Sequence, residues 1–143
     1  MQLTSPEFKY NQYIPGRFTC QGLDINPPLE IKDIPDQSKT LALIVDDPDA
    51  PAGTWVHWVV FNIPPASRIE ENSAPGTLGA NTLGELKYHG PCPPSGTHRY
   101  FFKLYALDIL LELKEGASKG VLEKTMQGHI LDQAELIGLY KKS

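Results

Sequence analysis

Short apolar segments separated by prolines and glycines occupy the first 108 residues of this 143-residue chain. Residues 29–34 alternate apolar and polar side chains, which is the period of a half-buried β-strand. Residues 40–45, 55–63 and 100–107 are apolar almost throughout, as central strands covered on both faces are. Residues 8–14 form a candidate edge strand. The pattern therefore predicts a mainly β domain.

Helical spacing occurs only near the end of the chain, where apolar residues recur at intervals of three and four. Those residues are Val121, Leu122, Met126, Ile130, Leu131, Ala134 and Ile137. Ser118 is a suitable N-cap, and Gly128 is expected to separate two short helices or to kink one. We therefore expect one domain, residues 1–143, built as a two-sheet antiparallel β-sandwich with short C-terminal helices.

The longest connection between predicted elements, residues 64–97, contains six prolines and five glycines. A segment of that length without regular structure in a compact domain is usually functional or disordered. Its last part, residues 88–94, is too rich in proline and aromatic rings for a flexible tether. This part is therefore expected to have a defined structure.

Charge and hydropathy exclude several classes of function. The net charge of −4 argues against nucleic acid, whose binding requires a surplus of lysine and arginine. No apolar run approaches the roughly 18 residues of a membrane span. Residues 1–20 are polar and contain two prolines, unlike a signal peptide, so the expected location is the cytoplasm. In that compartment Cys20 and Cys92 are expected to be free thiols, with a bridge between them as the alternative.

Residues 47–51 read Asp-Pro-Asp-Ala-Pro and directly follow a predicted strand. The prolines restrict the backbone, so the Asp47 carboxylate is held at the end of that strand. A turn in which aspartate caps backbone N–H groups is the alternative interpretation. The segment therefore provides a candidate site residue that local structure could also explain.

Two histidines lie in predicted strands, His57 and His98. Strict alternation groups the side chains of each strand by face. One group is Trp55, His57, Val59 and Phe61, and the other is His98, Tyr100 and Phe102. A histidine among apolar neighbours is more often a core residue than a ligand-binding one, and this alternative stays open.

Arg99 lies on the opposite face of its strand from His98, and a covered guanidinium requires a carboxylate partner. Asp49 is the first candidate for that partner. A buried Asp49–Arg99 ion pair predicts that Asp49→Asn and Arg99→Lys each lower stability markedly.

The sequence lacks the motifs of several common catalytic and metal-binding sites. Two histidines and an aspartate can bind a divalent ion, but no HxH, HExxH or CxxC spacing is present, so no metal is predicted. There is no GxSxG turn around a serine nucleophile and no phosphate-binding glycine loop, so no catalytic residue and no cofactor are predicted. Imidazoles, a phenol and turn N–H groups remain, and these can bind phosphate or carboxylate oxygens.

Residues 47–51, 55–58 and 96–100, with Pro93 and Pro94 before the last, together resemble the two signature regions of the phosphatidylethanolamine-binding protein family. The likeness is to its short bacterial and archaeal branch. It implies a two-sheet β fold with Greek-key character, paired C-terminal helices and a pocket for phosphate, phosphorylethanolamine or acetate. By position, the resemblance implies that the pocket residues are Asp47, Pro51, Trp55, His57, Pro94, Gly96, His98 and Tyr100.

The expected function is that of a non-enzymatic binding or regulatory protein with a small anion pocket, in which His57 and His98 donate hydrogen bonds. Its affinity for phosphate or a phospholipid head group should then weaken as pH rises through neutrality. One alternative is a serine protease or kinase inhibitor that acts through the loop at 66–97. Another is a hydrolase with Asp47 and His57 as acid and base. The sequence leaves the oligomeric state open, and the resemblance to the prokaryotic members of the family suggests a homodimer.

Overall fold

The computed structural model describes residues 1–143, which form two β-sheets and one α-helix. The strands are β1 (Gln2–Thr4), β2 (Gln12–Tyr13), β3 (Leu29–Lys32), β4 (Thr40–Asp47), β5 (Trp55–Ile63), β6 (Arg68–Ile69), β7 (Thr77–Leu78), β8 (His98–Leu107) and β9 (Ile130–Tyr140). The helix α1 spans Lys119–Met126, and a short 3-10 turn spans Gly16–Phe18. The smaller sheet has the order β1-β3-β6, and the larger has the order β2-β9-β8-β4-β5-β7.

The mainly β character and the two sheets agree with the sequence pattern. The long apolar runs are β4, β5 and β8, and β4 lies between the other two at the centre of the larger sheet. Every pair of neighbouring strands is antiparallel except β2 and β9, which run parallel. The expected purely antiparallel arrangement is therefore wrong at this one edge.

Apolar side chains cover both faces of the larger sheet. On one face, a cluster of 20 buried residues joins it to the smaller sheet through Leu29, Ile31 and Ile69. On the other face, Leu122 and Met126 of α1 belong to a second cluster of 8 buried residues. Burial of one such side chain stabilises the fold by about 1.5–3 kcal/mol, so both faces contribute to the stability of the central strands.

The C-terminal region differs from the prediction of paired helices. Ser118 caps α1 as expected, since its Oγ accepts a hydrogen bond from the Val121 N–H at 3.2 Å. The second predicted helix is instead β9, which pairs with the whole of β8. Gly128, at φ 82°, separates the helix from this strand. The apolar spacing in residues 130–137 fitted a helix, but the hydrogen-bond partner of these residues is a distant strand.

Strict alternation along β5 is also wrong. Asp46 pairs with Val56 and Val45 pairs with Trp58, so a β-bulge leaves His57 as the extra residue. As a result Trp58 belongs to the core between the sheets, whereas Val59 and Phe61 belong to the core under α1. The predicted face shared by His57, Val59 and Phe61 does not form.

Cys20 and Cys92 form a disulfide bond, so the expectation of two free thiols is wrong. The bond joins residues 16–24 to residues 88–94. The same two segments also share three hydrogen bonds. Tyr88 Oη donates to the Phe18 carbonyl at 2.7 Å, and Gly90 N–H donates to the Asp24 carboxylate at 2.7 Å. Cys20 N–H donates to the Pro91 carbonyl at 3.1 Å. The end of the long connection is therefore a fixed wall.

The rest of the connection is ordered by β6, β7 and asparagine side chains. Asn81 accepts hydrogen bonds from the N–H groups of Leu83 and Glu85 and donates one to the Lys87 carbonyl.

No helix of the structure is both long and apolar enough to cross a membrane.

Candidate ligand-binding site

A cavity of about 280 Å³ opens where the end of β4 meets the beginnings of β5 and β8, with residues 88–94 as a wall. Its lining consists of Asp47, Ala50, Pro51, Trp55, His57, His89, Cys92, Pro93, Pro94, His98 and Tyr100. Every pocket residue suggested by the sequence lies in this lining except Gly96. The two histidines from distant strands therefore share one cavity.

The strand ends position the acidic group and the second imidazole. Asp47 is the last residue of β4 and pairs with Trp55, the first residue of β5. His98 is the first residue of β8, on the other side of β4. Alternation along β8 places His98 and Tyr100 on the face of the sheet that carries the cavity, as the sequence pattern predicted.

His98 and Asp47 form a buried hydrogen-bonded pair. The His98 Nδ1 atom lies 2.6 Å from Asp47 Oδ2. The other carboxylate oxygen accepts the Asp49 N–H at 2.8 Å. Because a carboxylate accepts, Nδ1 carries the hydrogen and Nε2 is the nitrogen left for a ligand.

His57 is anchored by a backbone group instead of a carboxylate. Its Nδ1 atom lies 2.6 Å from the His89 carbonyl oxygen, and His89 N–H donates in return to the His57 carbonyl at 2.9 Å. Burial lowers the pKa of His57 from 6.5 to about 4, although the hydrogen bond with His89 opposes this effect. The His57 ring is therefore neutral at neutral pH, with Nε2 unprotonated.

Aromatic rings enclose the space around His57. Trp55 lies 4.7 Å from the His57 ring and 5.1 Å from the His89 ring, centroid to centroid. Tyr100 meets the His57 ring edge-on at 5.2 Å and stacks near the His98 ring at 6.5 Å. These rings exclude water from the imidazole of His57 and account for its lowered pKa.

Tyr100 Oη is buried and makes no hydrogen bond of normal geometry in the protein, although the Cys92 backbone lies near it. Burial, reinforced by the negative charge of Asp47, raises the pKa of Tyr100, so its phenol is neutral. A buried hydroxyl without a partner costs about 1–3 kcal/mol.

Asp49 and Arg99 form the predicted ion pair, but on the surface. Asp49 Oδ1 accepts from Arg99 Nη2 at 2.8 Å, and Oδ2 accepts from both Nε and the backbone N–H at 2.9 Å. The hydrogen bond from Arg99 lowers the pKa of Asp49 to about 2. The Arg99 side chain is 53% exposed, so the expected burial of this pair is wrong. Exposed pairs contribute little, and the two substitutions should cost much less stability than the sequence suggested.

The sequence did not identify His89, Ala50, Pro93 or Cys92 as part of the lining. The signals were the proline-rich and aromatic composition of residues 88–94 and, for Ala50, its place within the Asp-Pro-Asp-Ala-Pro segment. His89 acts mainly through its backbone carbonyl oxygen, which contacts the His57 ring. A pattern of side chains in the sequence gives no information about such a backbone contact. Gly96 adopts φ 68° in the turn before β8 and lies outside the lining.

The cavity contains no lysine or arginine, and its polar side-chain groups are three imidazoles, one phenol, one indole N–H and one carboxylate. No group of three or more His, Cys, Asp or Glu residues in the structure is arranged to hold a metal ion. The site can therefore exchange hydrogen bonds with a small polar ligand, and any positive charge it offers comes from imidazole.

The profile of the family described as phosphatidylethanolamine-binding protein matches residues 4–141. The chain belongs to this family. It is 51% identical to a UPF0098 protein of Methanothermobacter thermautotrophicus, with 99% of each chain covered, and 49% identical to a UPF0098 protein of Chlamydia muridarum, again with 99% of each covered. The short branch suggested by the sequence is thus represented in both archaea and bacteria.

Two solved structures share the fold. One is a Chlamydia trachomatis protein named as a homologue of the phosphatidylethanolamine-binding proteins, with a TM-score of 0.97, 46% identity and coverage of 99% of this chain and 97% of that one. The other is E. coli YbcL, described as a member of the mammalian family, with a TM-score of 0.91, 27% identity and coverage of 99% and 98%.

Proposed function

We propose that this chain is a non-enzymatic binding or regulatory protein whose cavity takes a small oxyanion such as phosphate, phosphorylethanolamine or a carboxylate. One observation carries the proposal. The Nδ1 atoms of His57 and His98 are both held by protein acceptors, so both rings line the cavity with Nε2 free. Two fixed imidazoles and an unpartnered phenol suit the oxygen atoms of one small ligand.

The size of the cavity supports a head group in preference to a whole lipid. Pockets for drug-sized ligands span about 300–1,000 Å³. The volume of about 280 Å³ is below that range and suits a phosphate or phosphorylethanolamine. The names of the family and of the Chlamydia trachomatis homologue refer to phosphatidylethanolamine, from which phosphorylethanolamine differs in being a phosphate monoester and not a diester.

Calorimetric titration of the full chain with phosphorylethanolamine near pH 6 tests the proposal. We expect saturable binding that weakens by about 10–100-fold in His98→Ala, because a hydrogen bond to a charged ligand contributes about 1.5–3 kcal/mol. Tyr100→Phe should leave stability nearly unchanged, since the removed hydroxyl makes no hydrogen bond of normal geometry in the free protein.

The matched control is His129→Ala. His129 lies outside the cavity, where its Nδ1 is 2.9 Å from Asp108 on an exposed surface. Its loss should leave the affinity unchanged. If phosphorylethanolamine, phosphate and acetate all fail to bind the folded wild-type chain, the proposal is wrong.

The Asp47–His98 pair also favours a second candidate, a hydrolase in which His98 activates water as a general base. The alternative drawn from the sequence paired Asp47 with His57, whereas Asp47 contacts His98. Release of inorganic phosphate from phosphorylethanolamine by the wild type, abolished in His98→Ala, would support hydrolysis over binding.

A further inference from the structure

We propose that the cavity selects an oxyacid in its singly protonated form, with His57 accepting the hydrogen of the ligand hydroxyl while His98 donates to an unprotonated oxygen. This inference rests on the proposed function, since it specifies the ionic form of the ligand that the same cavity takes. It replaces the expectation from the sequence that both histidines donate.

The tautomer of His57 follows from its contact with His89. A carbonyl oxygen can only accept, so the Nδ1 atom that lies 2.6 Å from it carries the hydrogen. Nε2 of the neutral ring then bears a lone pair. The ring lines the cavity, and no group of the chain hydrogen-bonds to Nε2. The ligand therefore meets an acceptor at this position.

The charged and titratable groups around His57 explain why the ring stays neutral. Burial is the largest influence and lowers its pKa to about 4, and the neighbouring His89 ring acts in the same direction. Asp47 and Asp46 of β4 act in the opposite direction. The Asp46 carboxylate is itself bound by Lys103 and Lys119, at 3.1 Å and 2.7 Å.

The group facing His57 from β8 is Tyr100, whose phenol is neutral because burial raises its pKa. Trp55, the remaining ring against His57, does not titrate. No lysine or arginine lines the cavity. Trp55 and Tyr100 carry an N–H and an O–H, but neither forms a hydrogen bond with His57 Nε2, whose ring is bonded only through Nδ1.

His98 offers the complementary chemistry. Its Nδ1–H donates to Asp47 Oδ2 at 2.6 Å, and when the ring is protonated the Asp47 carboxylate balances its charge. A protonated His98 presents Nε2–H to the cavity as a donor. His98 therefore differs from His57 in its partner, a carboxylate instead of an uncharged carbonyl, and on this difference we assign the donor role to His98.

A phosphate monoester with one proton matches this pair, because it has one P–OH donor and unprotonated oxygens that accept. The second proton of such an ester is lost near pH 6. The dianion would place an oxygen lone pair against the lone pair of His57 Nε2. A sulfate ester has the same single charge and nearly the same shape as the monoanion, but it has no hydrogen to donate.

The test compares methyl phosphate with methyl sulfate by calorimetric titration of the full chain at pH 6 and pH 8. We expect methyl phosphate to bind at least tenfold more tightly than methyl sulfate at pH 6, because a site built around a ligand hydroxyl rejects the analogue without it. The affinity for methyl phosphate should fall by roughly 50-fold more than that for methyl sulfate between pH 6 and pH 8, because the methyl phosphate monoanion falls from about half to about one hundredth of the ligand while methyl sulfate does not titrate.

The variant His57→Gln sharpens the comparison. A glutamine amide can present either its oxygen or its NH₂ group, so the preference for the phosphate should shrink to within about threefold. His129→Gln is the matched control and should keep the wild-type preference. If His57→Gln does not fold, the wild-type comparison alone decides.

The outcomes separate this inference from the proposed function. Equal affinity of the wild type for both esters at pH 6 would overturn the inference and leave the anion site standing. A ratio of the two affinities that does not change between pH 6 and pH 8 would do the same. Absence of binding of either ester at either pH would overturn the inference, and the proposed function would then be decided by the titrations with phosphorylethanolamine, phosphate and acetate.

Discussion

Burial of the His57 ring lowers the stability of the ligand-free protein at acidic pH. The unfolded ring has a pKa of 6.5, whereas the folded ring has a pKa of about 4. Between these two values the unfolded chain binds a proton that the folded chain does not. The contribution of His57 to stability is therefore complete above pH 6.5 and is lost as pH falls towards 4.

We predict that this group alone lowers the free energy of unfolding by up to about 3 kcal/mol across that window. In His57→Gln, which cannot titrate, the loss should be correspondingly smaller. Urea denaturation at pH 7 and pH 4.5 measures the difference between the two proteins. The exposed His129 provides the control, because His129→Gln should follow the wild-type curve. Identical pH dependence of wild type and His57→Gln would contradict the prediction.

At the scale of residues, the sequence identified most side chains of the cavity lining, but it did not identify which of them donate and which accept hydrogen bonds. The cavity lining contains the two histidines, Asp47 and Tyr100, which the chemistry of the residues and the family resemblance both grouped. The donor or acceptor state of His57 depends on the carbonyl of His89, 32 residues away in sequence. No pattern of side chains reports such a contact, and the bulge that turns His57 into the cavity is equally invisible to strict alternation.

At the scale of elements, β9 shows how a local pattern can fit the wrong structure. Leu131, Ala134 and Ile137 have helical spacing, yet they belong to a strand whose partner is β8. Helix α1 begins at the predicted cap and ends before Gly128, so the prediction held where the signal was a local hydrogen bond. It failed where structure depends on pairing between residues that lie between 23 (Leu107 and Ile130) and 42 (His98 and Tyr140) positions apart.

The wall at residues 88–94 depends on close contact with residues 16–24. A Cβ atom at Gly90 would collide with the Phe18 carbonyl, Thr19 and the Asp24 carboxylate. Gly90→Ala should therefore push the wall away and lower the free energy of unfolding by about 1–3 kcal/mol. It should also weaken ligand binding, because the adjacent His89 carbonyl fixes the His57 ring.

Gly120→Ala is the matched control for this substitution. Gly120 lies in α1 and nothing is within 4 Å of the added Cβ, so stability should stay the same or rise by up to about 1 kcal/mol. Urea denaturation of both variants measures the contrast. Equal stability of Gly90→Ala and the wild type would show that the two segments separate easily.

For the whole molecule, the cavity depends on contacts between distant parts of the chain. The ends of β4, β5 and β8 supply the polar groups, while residues 88–94 close one side and are held by residues 16–24. A chain with the predicted strands but without these long-range contacts would have the candidate residues and no enclosed site. Stability and ligand binding should therefore change together when this wall is released.

The Cys20–Cys92 bond is the covalent part of that attachment, and Cys92 itself lines the cavity. Because the two cysteines are 72 residues apart, reduction frees a long loop of the unfolded chain and should lower the free energy of unfolding by about 2–4 kcal/mol. Thermal melts with and without a thiol reductant measure this loss, and the Cys20→Ala/Cys92→Ala variant should melt low in both conditions. An unchanged melting temperature on full reduction would mean that the three hydrogen bonds of residues 88–94 hold the wall without the disulfide.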